Sequence, residues 1–149
     1  MSVFASRLFL CLGFLFSTLT YPPAVFAEAM KCAVCGMNLE EHARNHIQLS
    51  RKSDSQQRMH VCSLACAKKA LKHDAGYDVV EVQDFNHPEK TLSGDSAFFL
   101  IKSEKIRSDL GDMVMSPYFG AYASKAEADN AQKKYGDGTV VEGIKNALK

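Results

Sequence analysis

The chain has 149 residues, with 18 Lys and Arg against 17 Asp and Glu, a formal net charge of +1 and 46% hydrophobic residues. This near balance, with no Lys/Arg cluster backed by aromatic residues, argues against nucleic acid or an acidic membrane surface as the partner. The length suits one compact domain, or two very small units sharing a core.

The first segment reads as a leader. Arg7 supplies a short positive start, Leu8 to Leu19 carries no charge, and Pro22 and Pro23 end its helical tendency. Val25 and Ala27 place small residues at the −3 and −1 positions of a cleavage site. The apolar run is shorter than the roughly 20 residues that span a membrane, so residues 1–27 are predicted to be a secretory signal peptide cleaved after Ala27. A lipid anchor is not expected. Cys11 lies inside the apolar run, and Cys32 follows Glu-Ala-Met-Lys rather than a box of small residues. Losing the leader removes Arg7 and leaves 17 basic and 17 acidic residues in a metal-binding domain of 28–149.

After the cysteine-bearing start, His46 to Ser50 alternates apolar and polar residues as a half-buried strand does. Arg51 to Ser55 reads as a polar turn, and Gln57 to Cys62 as the return strand of a hairpin. Ser63 is a good N-cap for a helix carrying Leu64, Ala67, Ala70 and Leu71, with Gly76 as its stop. Asp78 to Val82 is a further strand. The same order then recurs. Ala97 to Ile101 and Tyr118 to Tyr122 read as partner strands across a long loop. Ser124 caps a helix with Glu127 completing a capping box, Tyr135-Gly136 ends it, and Thr139 to Glu142 is the last strand. At an offset of 61 residues Ser63 meets Ser124, Ala67 meets Ala128, Ala70 meets Ala131, and Val79-Val80-Glu81 meets Val140-Val141-Glu142. The expectation is an α+β fold of tandem strand-strand-helix-strand modules, about 31–85 and 95–143, behind an N-terminal Cys-x2-Cys knuckle. Cys62 and Cys66 fall opposite Ala123 and Glu127, so the soft ligands belong to one copy only.

Four cysteines remain in the mature chain: Cys32, Cys35, Cys62 and Cys66. Cys32-Ala-Val-Cys35-Gly36-Met37 is a turn that brings two sulfurs within reach of one ion, with Gly36 permitting the tight backbone. Cys62 at a strand end and Cys66 in the first helical turn form the second pair, where a helix N-terminus favours thiolate. Together the pairs have the arrangement of a treble-clef-type four-thiolate site. Structural disulfides and a redox pair are the rival readings in an exported protein. Four thiolates suit zinc, whereas thiolate with thioether suits Cu(I), which makes Met37, Met59, Met113 and Met115 the discriminating residues. His60 is a further candidate ligand, while His42, His46, His73 and His87 sit in polar contexts that predict solvation. No nucleophile elbow, phosphate loop or H-E-x-x-H is present, so no enzyme is expected.

These residues resemble the NosL family of copper-binding accessory proteins for nitrous-oxide reductase maturation, in a branch with an additional Cys-x3-Cys pair. The likeness rests on Cys32 to Met37, Cys62-Ser-Leu-Ala-Cys66, Asp95 to Ile101, and Met115-Ser-Pro followed by Phe119 to Ala128. It implies a periplasmic Cu(I) carrier whose copper positions are Cys35, Met37 and Met115 with Cys32 close by, and whose partners are apo nitrous-oxide reductase and a copper-supply transporter complex. The alternatives are a zinc-binding treble-clef-type structural or sensor module, and a disulfide-stapled interaction domain.

Overall fold

A computed structural model describes residues 30–39, 44–110 and 116–149. The expected signal peptide, His42, Met113 and Met115 lie outside the described residues. The fold is α+β, built on two antiparallel sheets.

The first sheet grows from the hairpin of β1 (Ile47–Arg51) and β2 (Asp54–Val61). Strand β3 (Tyr77–Gln83) pairs with the other edge of β1, and the short β4 (Thr91–Ser93) extends the sheet in the order β2-β1-β3-β4. Ile47, Leu49, Val61 and Val82 are buried, and α1 (Leu64–His73) adds Leu64, Ala67 and Ala70 to the same core. The second sheet has β5 (Phe98–Ile101) between β6 (Phe119–Tyr122) and β7 (Thr139–Glu142). In both sheets the first strand of the unit is central. Leu49 faces Met59 and Val79, and Leu100 faces Gly120 and Val140, so the flanking strands keep the 61-residue offset of the sequence repeat while the central strands stand 51 residues apart.

Alternation along β5 explains how the halves join. Phe99 and Ile101 enter the core that holds the first sheet and α1, while Leu100 enters a second core with Tyr122 and with Ala128, Ala131 and Tyr135 of α3 (Lys125–Tyr135). Each β5 face is therefore covered, as its unbroken apolar run requires. Asp84 and Ala121 form a parallel bridge between the sheets, and the Phe85 N–H donates to the Ala121 carbonyl at 2.8 Å.

Several boundaries differ from the sequence expectation. The first hairpin turn is only Lys52 and Ser53, because the strands pair as far as Arg51 opposite Asp54. Helix α1 ends at Asp74, whose N–H donates to the Ala70 carbonyl; Gly76 is not its stop but forms a turn held by the Asp74 carboxylate at 2.8 Å. Strand β6 begins at Phe119 rather than Tyr118. Glu127 does reach back over the helix start, but to the Ala123 N–H at 3.1 Å rather than to that of the Ser124 cap. Strand β4 and the single-turn helices α2 (Arg107–Leu110) and α4 (Ile144–Ala147) had no clear sequence signal.

Candidate metal centre

The knuckle is a miniature hairpin. Lys31 and Asn38 form an antiparallel bridge, the Cys32 N–H donates to the Met37 carbonyl at 2.8 Å, and the Gly36 N–H donates to the Cys32 carbonyl at 2.8 Å. Closing the turn requires Gly36 at φ +76°, a conformation that glycine adopts without steric cost. The Ala33 N–H then donates to the His60 carbonyl at 2.9 Å, which pins the knuckle to the end of β2.

The chain delivers the other two sulfurs at the strand-to-helix junction. Cys62 follows the last residue of β2, and Ser63 adopts the extended backbone of an N-cap with its hydroxyl accepting from the Cys66 N–H at 3.1 Å. That cap turns the chain so that Cys66 Sγ lies 3.7 Å from Cys62 Sγ. Cys62 Sγ is also 3.4 Å from Cys35 Sγ. The four sulfurs of Cys32, Cys35, Cys62 and Cys66 all lie within 4.8 Å of one another, and all four residues are free thiols. Exposure is uneven: Cys32 is 2% exposed, Cys62 1% and Cys66 6%, whereas Cys35 is open to solvent.

The thiols do not share one acidity. Burial raises Cys32, but N–H groups of Cys35, Val34 and Cys62 stabilise its thiolate and bring it down to about 7. Burial dominates at Cys62 and at Cys66 and pushes both up; at Cys66 the Ser63 hydroxyl offsets only part of the rise. The sequence expectation that the helix start makes Cys66 acidic is thus reversed by desolvation. The most acidic buried sulfur is in the knuckle, where backbone amides converge on it.

Met37 is half-buried and packs against the core containing the cysteines, as does Met59. His60 stands outside the four-sulfur group. Its Nδ1 lies 2.7 Å from His46 Nε2, and the ring planes are tilted by 41°. His46, expected to be solvated, is half-buried in this pair; the register that places Ile47 opposite Val61 brings it there. Sequence reasoning missed the pairing, although two histidines flanking a hairpin at nearly matched positions were a usable signal. A cavity of about 290 Å³ is lined by Leu64 and Ala65 of α1 together with Pro117 and Tyr118. Pro117 and Tyr118 therefore lie beside the helix start that carries Cys66. Among the described residues, no helix is long and apolar enough to cross a membrane.

Among solved structures, this chain is similar in fold to the copper chaperone NosL from Shewanella denitrificans. The two superpose with a TM-score of 0.58 at 22% sequence identity, over 76% of this chain and 86% of that one. No family model and no curated protein matches the sequence.

Proposed function

We propose that this protein is a periplasmic Cu(I) carrier of the NosL type, exported by a cleavable signal peptide over 1–27. The observation that carries this reading is the convergence of four sulfurs from two separate chain segments, three of them buried and one exposed. Thiolates select soft ions, so Cu(I) is a natural cargo. Delivery needs a ligand that an acceptor can replace, and the exposed Cys35 is the sulfur an incoming thiolate or thioether can reach. Met37, Met113 and Met115 are the proposed thioether ligands. With Cys32, Cys35, Cys62 and Cys66 they form the proposed copper set. The proposed acceptor is apo nitrous-oxide reductase, supplied through a copper-transporter complex, and no catalytic step is assigned to the carrier.

Zinc is a second reading with its own supporting observation. Three of the four sulfurs lie in the core, and a closed four-thiolate cage is the usual structural zinc site. Anaerobic titration with Cu(I) against a competing chelator, with a native thiol count, separates the two. One tightly held Cu(I), weakened by Met37→Ala and Met115→Ala, supports the carrier. Zinc that excess Cu(I) does not displace, or four oxidised thiols, overturns it.

A further inference from the structure

We propose that His46 and His60 form a second metal site, separate from the four sulfurs, that takes a divalent copper ion. The two imidazoles face each other across the first hairpin with His46 Nε2 and His60 Nδ1 2.7 Å apart. Among the described residues, neither ring has another side-chain hydrogen bond; their only polar side-chain partner is each other. Neutral imidazole is the commonest metal ligand, and two of them side by side offer two borderline nitrogen donors to one ion.

The spacing selects a geometry. Nitrogens about 2.0 Å from a metal and at right angles to each other, as in a square-planar site, stand about 2.8 Å apart. Tetrahedral placement at the same bond length would need about 3.3 Å. The observed 2.7 Å fits the square-planar pair, so a metal could replace the shared hydrogen bond by turning the rings rather than parting the strands. The displaced proton moves to the far nitrogen of its own ring, and both imidazoles stay neutral. Tetragonal nitrogen sites favour Cu(II), which is also the strongest binder among the divalent first-row ions.

The surrounding charges are mixed. Gln48 lies opposite His60 and donates to the Glu81 carboxylate at 3.1 Å, which puts an anion on this part of the sheet. Arg58, two residues before His60 on the same strand face, opposes it. The His60 carbonyl receives the Ala33 N–H, so the imidazole pair is joined through backbone to the knuckle that carries Cys32 and Cys35. The molecule thus places a nitrogen site for divalent copper beside a sulfur cluster suited to a soft ion, and neither depends on the other being filled.

The test uses the full mature chain with its sulfurs first saturated by Hg2+, which thiolates hold whatever their natural cargo, and then titrated with Cu(II). The expected result is one equivalent of bound Cu(II) whose electron paramagnetic resonance spectrum shows splitting from two nitrogens. His46→Gln and His60→Gln should each weaken that binding at least tenfold while keeping the circular dichroism spectrum and native thiol count of the parent. In the parent, ring resonances of His46 and His60 should broaden before those of His73 and His87, a readout that survives even if a variant fails to fold. A spectrum identical to that of Cu(II) in buffer, splitting unchanged in folded variants, or first broadening at His73 or His87 would overturn the site. Failure of the sulfurs to hold Cu(I) would appear in the separate Cu(I) titration and leave this result standing.

Discussion

The exposed Sγ of Cys35 stands 3.4 Å from the buried Sγ of Cys62, so one edge of the sulfur cluster faces solvent and the rest faces the core. Substitutions at these two residues should therefore separate binding from stability. Cys35→Ser is expected to reduce Cu(I) affinity by at least tenfold and to leave the urea midpoint close to that of the parent, because its side chain is already hydrated. Cys62→Ser places a hydroxyl where solvent cannot reach and should cost about 1–3 kcal/mol of folding stability as well as metal. Chelator competition and urea unfolding, run on both variants without and with Cu(I), check the distinction. Equal stability losses would mean that the two sulfurs share one environment.

Acid should destabilise the metal-free protein through His46. Burial and the neighbouring His60 lower its pKa from 6.5 to about 4. Between those values the unfolded chain holds a proton that the native state refuses, so stability falls as pH falls, by up to about 1.4 kcal/mol per pH unit. The loss begins below the unfolded value and levels off once the native ring also protonates. Urea midpoints from pH 7.5 to 4.5 in the presence of chelator should show this slope, and His46→Gln should flatten it. A variant with the parent's slope would assign the acid sensitivity elsewhere.

The knuckle depends on one backbone angle. Gly36 sits at φ +76°, with nothing within 4 Å of where a Cβ would stand, so only backbone strain opposes a side chain there. Gly36→Ala should cost about 1–2 kcal/mol, whereas Gly36→Asn should be milder because asparagine tolerates the left-handed region. Because the same turn brings amides onto Cys32, Gly36→Ala should also weaken Cu(I) binding. Thermal unfolding and Cu(I) competition on the alanine and asparagine variants check the ordering; if asparagine were worse than alanine, sterics rather than strain would control the site.

Much of this organisation is legible in residue order because its causes are local. Alternation in Ile47 to Ser50, the serine before each helix, and Gly136 at the end of α3 each act within a few residues. The spacing of Cys62 and Cys66 is likewise a property of one strand-to-helix junction. The features that escaped depend on contacts between distant segments. Thr91-Leu-Ser93 is too short and polar to signal a strand, and becomes one only because Glu81 to Gln83 offers an open edge. The His46–His60 pair requires the hairpin register, and the lowered Cys32 thiol requires amides from both Cys35 and Cys62. Residue types announce ligands more readily than they announce which ligand is ionised.

The repeat provides an internal control for the last expectation. Ser63 and Ser124 cap equivalent helices, accepting from the Cys66 N–H at 3.1 Å and the Glu127 N–H at 3.3 Å. Ser63 is 1% exposed and Ser124 is only half-buried. Removing either hydroxyl should cost about 1 kcal/mol for a lost cap, rising towards about 2 kcal/mol where the orphaned N–H is cut off from water. Ser63→Ala should therefore destabilise the chain more than Ser124→Ala. It should also weaken metal binding, since the same hydroxyl positions the Cys66 backbone and partly offsets the burial that raises its thiol. Ser124→Ala, at the helix start where Glu127 replaces a cysteine, should leave metal binding unchanged. Urea unfolding ranks the stabilities and Cu(I) competition reads the site. Equal loss of copper affinity in both variants would show that global loosening, rather than the Ser63 cap itself, governs the sulfur cluster.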